Sequence, residues 1–245
     1  MDNAMMIGLT RQLTLRRAMD VTANNIANVS TTGFKAESQL LEANNATRAR
    51  SEDGPPRLAY VDEWGMGRNF AQGDLARTGR PLDLALEGDG FFALETEAGE
   101  RYTRDGRFSL DAEGAIVASD GSRLMSDGGG PIFLDLEAGP VEIVSTGDIT
   151  QNGQIVGRVG VVAFEDNGAL SKTGENRYVA PDGAQPLDAL EAQIRQGFTE
   201  SSNVKPIQEI TTMLEVSRTY ASVTRMIQQT DELSRKAIER LGRPA

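Results

Sequence analysis

The sequence predicts an α+β protein, with long N- and C-terminal α-helices that pair as a coiled coil and a central antiparallel all-β domain. Three observations carry that expectation. Apolar residues near both ends recur three and four apart, the period changes to two from Leu82 to about Ala180, and the acidity sits in the middle of the chain. Residues 1–81 hold 9 acidic and 10 basic side chains and 201–245 hold 5 and 7, whereas 82–200 hold 22 and 8. A middle that repels copies of itself reads as a solvated outer surface, and near-neutral ends can approach other protein.

The first segment, 1–34, reads as the N-terminal helix of the coiled-coil domain. Helix is expected over 3–28, with Asn3 as a cap. Met5, Leu9, Leu13, Met19, Ala23 and Ile26 form an imperfect stripe that Gln12 and Arg16 interrupt. Asn24, Asn25 and Asn28 then crowd the helix end, where amides can satisfy free carbonyls or grip a neighbouring backbone. They read as a polar lock on register rather than a simple helix stop. Gly33 suits the left-handed conformation that terminates a helix.

Residues 35–81 read as an extended or hairpin-bearing connector, because Ser51-Glu-Asp-Gly-Pro-Pro56, Gly65-Met-Gly67 and Gly73-Asp74 leave only short apolar pieces. Residues 82–200 form the β-rich domain. Strands are expected at 83–87, 90–94, 107–110, 115–117, 141–144 and 158–164. Turn signals separate them: Gly88-Asp-Gly90, Asp105-Gly106, Asp120-Gly121, Gly128-Gly-Gly-Pro131, Asn152-Gly153 and Asn167-Gly168.

The last segment, 201–245, returns to helix. Pro206 fits a first turn, and no proline or glycine follows until Gly242 and Pro244 end the helix. Met213, Val216, Tyr220, Val223, Ile227, Thr230, Ser234, Ala237 and Leu241 alternate three and four apart, while Ile207, Ile210, Leu214 and Met226 widen the face. Such a helix is about 54 Å long at about 1.5 Å per residue, roughly three times the typical length. One helix pair buries one stripe on each partner, so the surplus apolar face calls for further copies of the chain or related proteins. The candidate assembly interface is therefore Met5, Leu9, Leu13, Met19, Asn24, Asn25, Ile26 and Asn28 on the first helix, with Met213, Val216, Tyr220, Val223, Ile227 and Leu241 on the last.

Chemistry finds little to use. The chain has neither cysteine nor histidine, which removes thiolates, the usual neutral-pH base and the commonest metal ligand. Gly88-Asp-Gly90 lacks the rest of a dinucleotide fingerprint, and Gly128-Gly-Gly-Pro131 has no lysine and no following helix. Asp111 and Asp120 lack the ligand spacing of a calcium loop. Asp89 and Asp105 sit in Asp-Gly turns, where aspartate serves local hydrogen bonds. No enzyme, cofactor or metal is expected. The net charge of −11 argues against nucleic acid and anionic membrane surfaces. No run reaches 18 apolar residues, so no membrane insertion is expected, and no cleaved signal peptide is expected either.

Three motifs carry a resemblance. Asn24-Asn-Ile-Ala-Asn28 with Thr31-Thr-Gly-Phe-Lys35 is similar to the N-terminal signature of bacterial flagellar rod, hook and hook-associated proteins. Pro81-Leu-Asp-Leu-Ala-Leu86, Gly88-Asp-Gly-Phe-Phe92 and Tyr102-Thr-Arg-Asp-Gly-Arg-Phe108 resemble the β domain of the rod and hook subunits, and Glu200-Ser-Ser-Asn-Val-Lys-Pro206 resembles the C-terminal signature. The likeness covers 1–35 and about 75–242. Within the family the start Met1-Asp-Asn-Ala4 looks most like the proximal rod subunit, with distal rod and hook subunits as alternatives. The resemblance implies a non-enzymatic part in the flagellar basal body. Subunits would pass through the flagellar type III export apparatus into the periplasm and polymerise, with copies of themselves and other rod proteins, into a hollow drive shaft carrying motor torque. Terminal helices would line its channel and the β domain would lie outside. A secreted coiled-coil adaptor, and a glycosidase using Asp89 or Asp105, are the competing readings.

Overall fold

Helix α1 spans Asp2–Ala27 and helix α2 spans Pro206–Leu241 in the computed structural model, which describes residues 2–45, 59–189 and 191–241. The helices agree with the expected bounds to within a residue or two. The chain divides into two units, one of residues 1–27, 37–69 and 205–245, the other of 28–36 and 70–204.

In the first unit α1 and α2 lie antiparallel. Gln12 Nε2 donates to Thr224 Oγ1 at 3.1 Å, Met19 Sδ accepts from Ser217 at 3.6 Å, and Ile227 packs over Gly8. A Cβ on Gly8 would stand 2.9 Å from Ile227 Cγ1, so the glycine is what lets the backbones approach. Threonine is a poor helix interior residue, yet both helices are rich in it. Thr10, Thr14 and Thr22 in α1, and Thr211, Thr219, Thr224 and Thr230 in α2, each return a hydroxyl bond to the carbonyl four residues back. Strands β1 (Glu37–Asn45) and β2 (Ala59–Arg68) complete the unit as an antiparallel hairpin against α1, with a bulge that leaves Trp64 as an extra residue on β2. Residues 35–81, expected as one connector, thus divide. The hairpin takes 37–45 and 59–68, and 70–81 belong to the second unit. The turn Ser51-Glu-Asp-Gly-Pro-Pro56 and the helix-ending Gly242 and Pro244 lie outside the described residues.

The second unit contains β3 (Leu75–Arg77), β4 (Leu84–Glu87), β5 (Phe91–Thr96), β6 (Gly99–Thr103), β7 (Ser109–Leu110), β8 (Ile116–Val117) and β9 (Arg123–Leu124). They are followed by β10 (Val141–Ile143), β11 (Asp148–Gln151), β12 (Gln154–Arg158), β13 (Val161–Ala163), β14 (Ser171–Gly174), β15 (Arg177–Val179), β16 (Leu187–Asp188), β17 (Gln193–Gln196) and β18 (Phe198–Glu200). The main sheet runs β14-β15-β6-β5-β9-β8-β7, with β13 joining β5 to β16. Strands β10-β11-β12 make a second sheet, while β17 pairs with β4 and β18 with β3. Every strand pairing among the described residues is antiparallel. Thus the fold is α+β, as expected.

Strand β5 explains the run Phe91-Phe-Ala-Leu94. Successive side chains of a strand point to opposite faces. Phe92 and Leu94 enter one core with Leu84, Phe108, Ile116, Leu124 and Ile149, and Phe91 and Ala93 enter another with Tyr102, Phe164, Leu170 and Tyr178. A strand covered on both faces must be apolar at every position, not every second one. Edge-to-face ring contacts fix both cores, Phe92 with Phe108 at 5.4 Å and Tyr102 with Phe164 at 4.9 Å.

Candidate assembly interface

Helix α1 has three distinct flanks. Gly8, Leu15 and Thr22, all buried, recur every seven residues along the line that meets α2. Asn25 and Thr14, also buried, lie about 80–100° to one side at about 100° per residue, the side taken by the β hairpin. Met5, Leu9 and Leu13 lie to the other side and stay 42–55% exposed. The sequence reading joined these three with Met19 and Ile26 in one stripe, whereas the structure puts Met19 and Ile26 half-buried beside α2 and Met5, Leu9 and Leu13 on a separate open flank. A close helix crossing uses glycine and threonine on its packed line, so apolar spacing alone does not mark the line that faces α2.

On α2 the stripe Met213, Val216, Tyr220, Val223 and Ile227 is half-buried and turned toward α1. Ile207, Ile210, Leu214, Met226, Leu233 and Ile238 remain 49–81% exposed. Because the helices are antiparallel, Ile210 and Leu214 fall on the same side of the pair as Met5, Leu9 and Leu13, but at its opposite end. The register set by Gln12 and Thr224 brings Asp2 level with about Ser234, so roughly the last two turns of α2 run past α1. Leu241 ends α2, and its side chain lies outside the described residues.

The three asparagines have three roles. Asn25 is buried, and its amide clasps one residue twice: Nδ2 donates to the Glu37 carbonyl at 2.8 Å and Oδ1 accepts from the Glu37 N–H at 2.9 Å. It pins the first residue of β1 to the last turn of α1. Asn28, half-buried past the helix end, accepts from Thr31 Oγ1 through Oδ1 and from the Thr31 N–H through its carbonyl. Asn24 faces outward.

The second unit holds a charge cluster that the sequence did not announce. Glu200 is fully buried. Its Oε1 accepts from Lys35 Nζ at 2.6 Å and from the Gly73 N–H at 2.8 Å, and its Oε2 meets Arg104 at 3.4 Å. Lys35 Nζ also donates to the Ala71 carbonyl at 2.9 Å, and Arg104 donates to the Gly88 carbonyl while lying over the Phe91 ring. Burial pushes the Lys35 ammonium below its ordinary range, against the pull of Glu200, and burial likewise lowers Arg104. The neighbouring backbone is tied in as well. Gly33 N–H donates to the Glu200 carbonyl at 2.7 Å. Asn203 accepts from the Ala36 N–H at 2.8 Å and donates to the Ala71 carbonyl at 2.8 Å. Thr31–Lys35, Tyr102–Phe108 and Glu200–Pro206 each contribute one of the three charges, which is the only trace of the cluster in the sequence.

The turn aspartates are used locally. Asp105 accepts from the Arg107 N–H and pairs with the Arg107 guanidinium at 2.6 Å, and Asp111 accepts from the N–H groups of Glu113 and Ala115. Among the described residues no helix is long and apolar enough to cross a membrane, and no group of His, Cys, Asp or Glu could hold a metal ion.

Three family models match the chain: "Flagella basal body rod protein" over residues 5–35, "Flagellar hook protein FlgE/F/G D1 domain" over 85–151, and "Flagellar basal body rod FlgEFG protein C-terminal" over 195–240. The chain is 45% identical to the flagellar basal-body rod protein FlgF of Caulobacter vibrioides, over 99% of each chain. It is 33% identical to the FlgF of Mesorhizobium japonicum, again over 99% of each. It is 31% identical to the basal-body rod protein FlgG of Bacillus subtilis, over 94% of this chain and 96% of the relative.

Proposed function

Since the chain belongs to the flagellar basal-body rod protein family and is a structural subunit of that rod, we propose that it polymerises through its terminal helices into a hollow shaft that passes motor torque outward. One observation carries this reading: the helix pair keeps an open apolar side, with Met5, Leu9 and Leu13 at one end and Ile210 and Leu214 at the other. Patches at opposite ends of one side suit a staggered, head-to-tail contact with neighbouring copies or related rod proteins. A contact of that kind does not close on itself and so builds a tube. In the tube the two helices pack as part of a coiled coil, and the acidic second unit faces outward.

The role is structural rather than enzymatic, and Asp105, one of the two candidate carboxylates, is engaged in its own turn with Arg107. A proximal position in the rod is supported by the 45% identity to a FlgF along nearly the whole of both chains. The likeness to FlgG supports a distal position as the alternative. The route we infer is the flagellar type III export apparatus, followed by assembly in the periplasm. Imaging of basal bodies from cells lacking this protein tests the proposal. The shaft should stop short, without distal rod or hook, and a complete rod and hook would overturn it.

A further inference from the structure

We propose that the buried Lys35–Glu200–Arg104 cluster is a force-transmitting clasp, which anchors to one carboxylate the segments by which the chain leaves the β unit. The inference rests on the rod reading above. The chain passes from one unit to the other at 27/28, 36/37, 69/70 and 204/205. The stretch 28–36 is held through Gly33, Lys35 and Ala36, the stretch after 69 through Ala71 and Gly73, and the stretch before 205 through Glu200 and Asn203. Gly33, Lys35 and Gly73 bond Glu200 itself, Ala71 joins it through Lys35, and Asn203, three residues further along the chain, ties Ala36 to Ala71. A pull on any one segment is therefore shared by bonds that must break together, not one after another.

Stability alone does not account for burying three charges here. Apolar side chains of similar volume serve a core as well or better, whereas loss of one partner strands the others in the interior. What the ionic arrangement adds is resistance to partial opening. A clasp with that property keeps the border of the β unit closed while torque is applied through the chain.

The test uses the full-length chain as the cell's only copy. In Glu200→Gln, amide exchange at Gly33, Ala36 and Gly73 should rise about ten-fold or more, while the core amides of Ile116, Met125 and Ile132 stay protected. Cells should build rods and swim in dilute medium but lose most of their motility in viscous medium, where torque is high. Leu124→Ala weakens the core of the same unit without touching the cluster and should show no such dependence on viscosity. If Glu200→Gln builds no rods, Arg104→Lys takes its place under the same criterion, since it keeps the charge and gives up the contacts of the guanidinium. Unchanged exchange at the three amides, unchanged motility in viscous medium, or an equal deficit in Leu124→Ala would each overturn the clasp. Absence of the wild-type chain from basal bodies would instead overturn the rod reading, a result separate from intact rods that tolerate load.

Discussion

At position 33 the backbone takes a φ of 67°, and a Cβ there would fall inside contact distance of the Arg104 carbonyl carbon. Gly33→Ala combines left-handed strain with that clash and should destabilise the β unit by about 2–4 kcal/mol. Urea unfolding of the purified chain reads this as a lower midpoint at unchanged slope. Asp120 offers a second measurement. Burial pushes its pKa up, but hydrogen bonds from the Arg177 and Ser122 side chains and the Ser122 N–H outweigh burial and lower it from 3.8 to about 2. A carboxylate whose folded pKa lies below its unfolded value adds stability above the unfolded value and loses it as pH falls through the folded one. Between pH 5 and 2 the melting temperature should therefore drop less in Asp120→Asn than in the parent, and equal drops would refute the assignment. The turn role of Asp105 was legible because the Asp-Gly signal is local. The Glu200 cluster was not, because nothing local distinguishes a lysine, an arginine and a glutamate that will meet in the interior from those that stay in water.

At the scale of elements, length decided what could be read. Helix α2 repeats its pattern over 36 residues, so one interruption does not hide it. Strands β9 and β16 have two residues each, too few for any alternation to show, whereas β7 and β8, equally short, fall within the expected strands at 107–110 and 115–117. The bounds of hairpin β1–β2 within the 35–81 connector were not legible, because Gly65, Gly67 and the bulge at Trp64 break its period. Its attachment to α1 depends on Asn25. In Asn25→Ala, exchange at the Glu37 amide should quicken while the α2-facing line of α1 is unaffected; an unchanged Glu37 amide would show the asparagine to be a mere helix stop. Ile227→Asp acts on the other flank. It sets a carboxylate against Gly8 in the helix pair. The β unit should keep its fold and its protected core amides, while rods and swimming are lost. Normal rods in that variant would count against the helix seam.

For the whole molecule, the uneven charge was visible from composition and survives as a division of labour. The acidic second unit buries two apolar cores of its own, whereas the near-neutral helices keep many of their large side chains in water. Long helices hold together mainly by tertiary packing and only weakly by intrinsic propensity. An α2 that, among the described residues, meets α1 along a single stripe and runs past it in its last turns should therefore open readily in the isolated chain. Hydrogen exchange of the purified subunit is expected to be fast through 206–241 and slow in β5, β6 and β9, with protection appearing along α2 only after assembly. The contrast follows from where apolar surface is covered: inside the chain for the β unit, and by neighbours for the helices. Slow exchange along the whole of α2 in the monomer would mean that the exposed residues from Ile207 to Ile238 need no partner, and the case for assembly through them would then lose its physical basis.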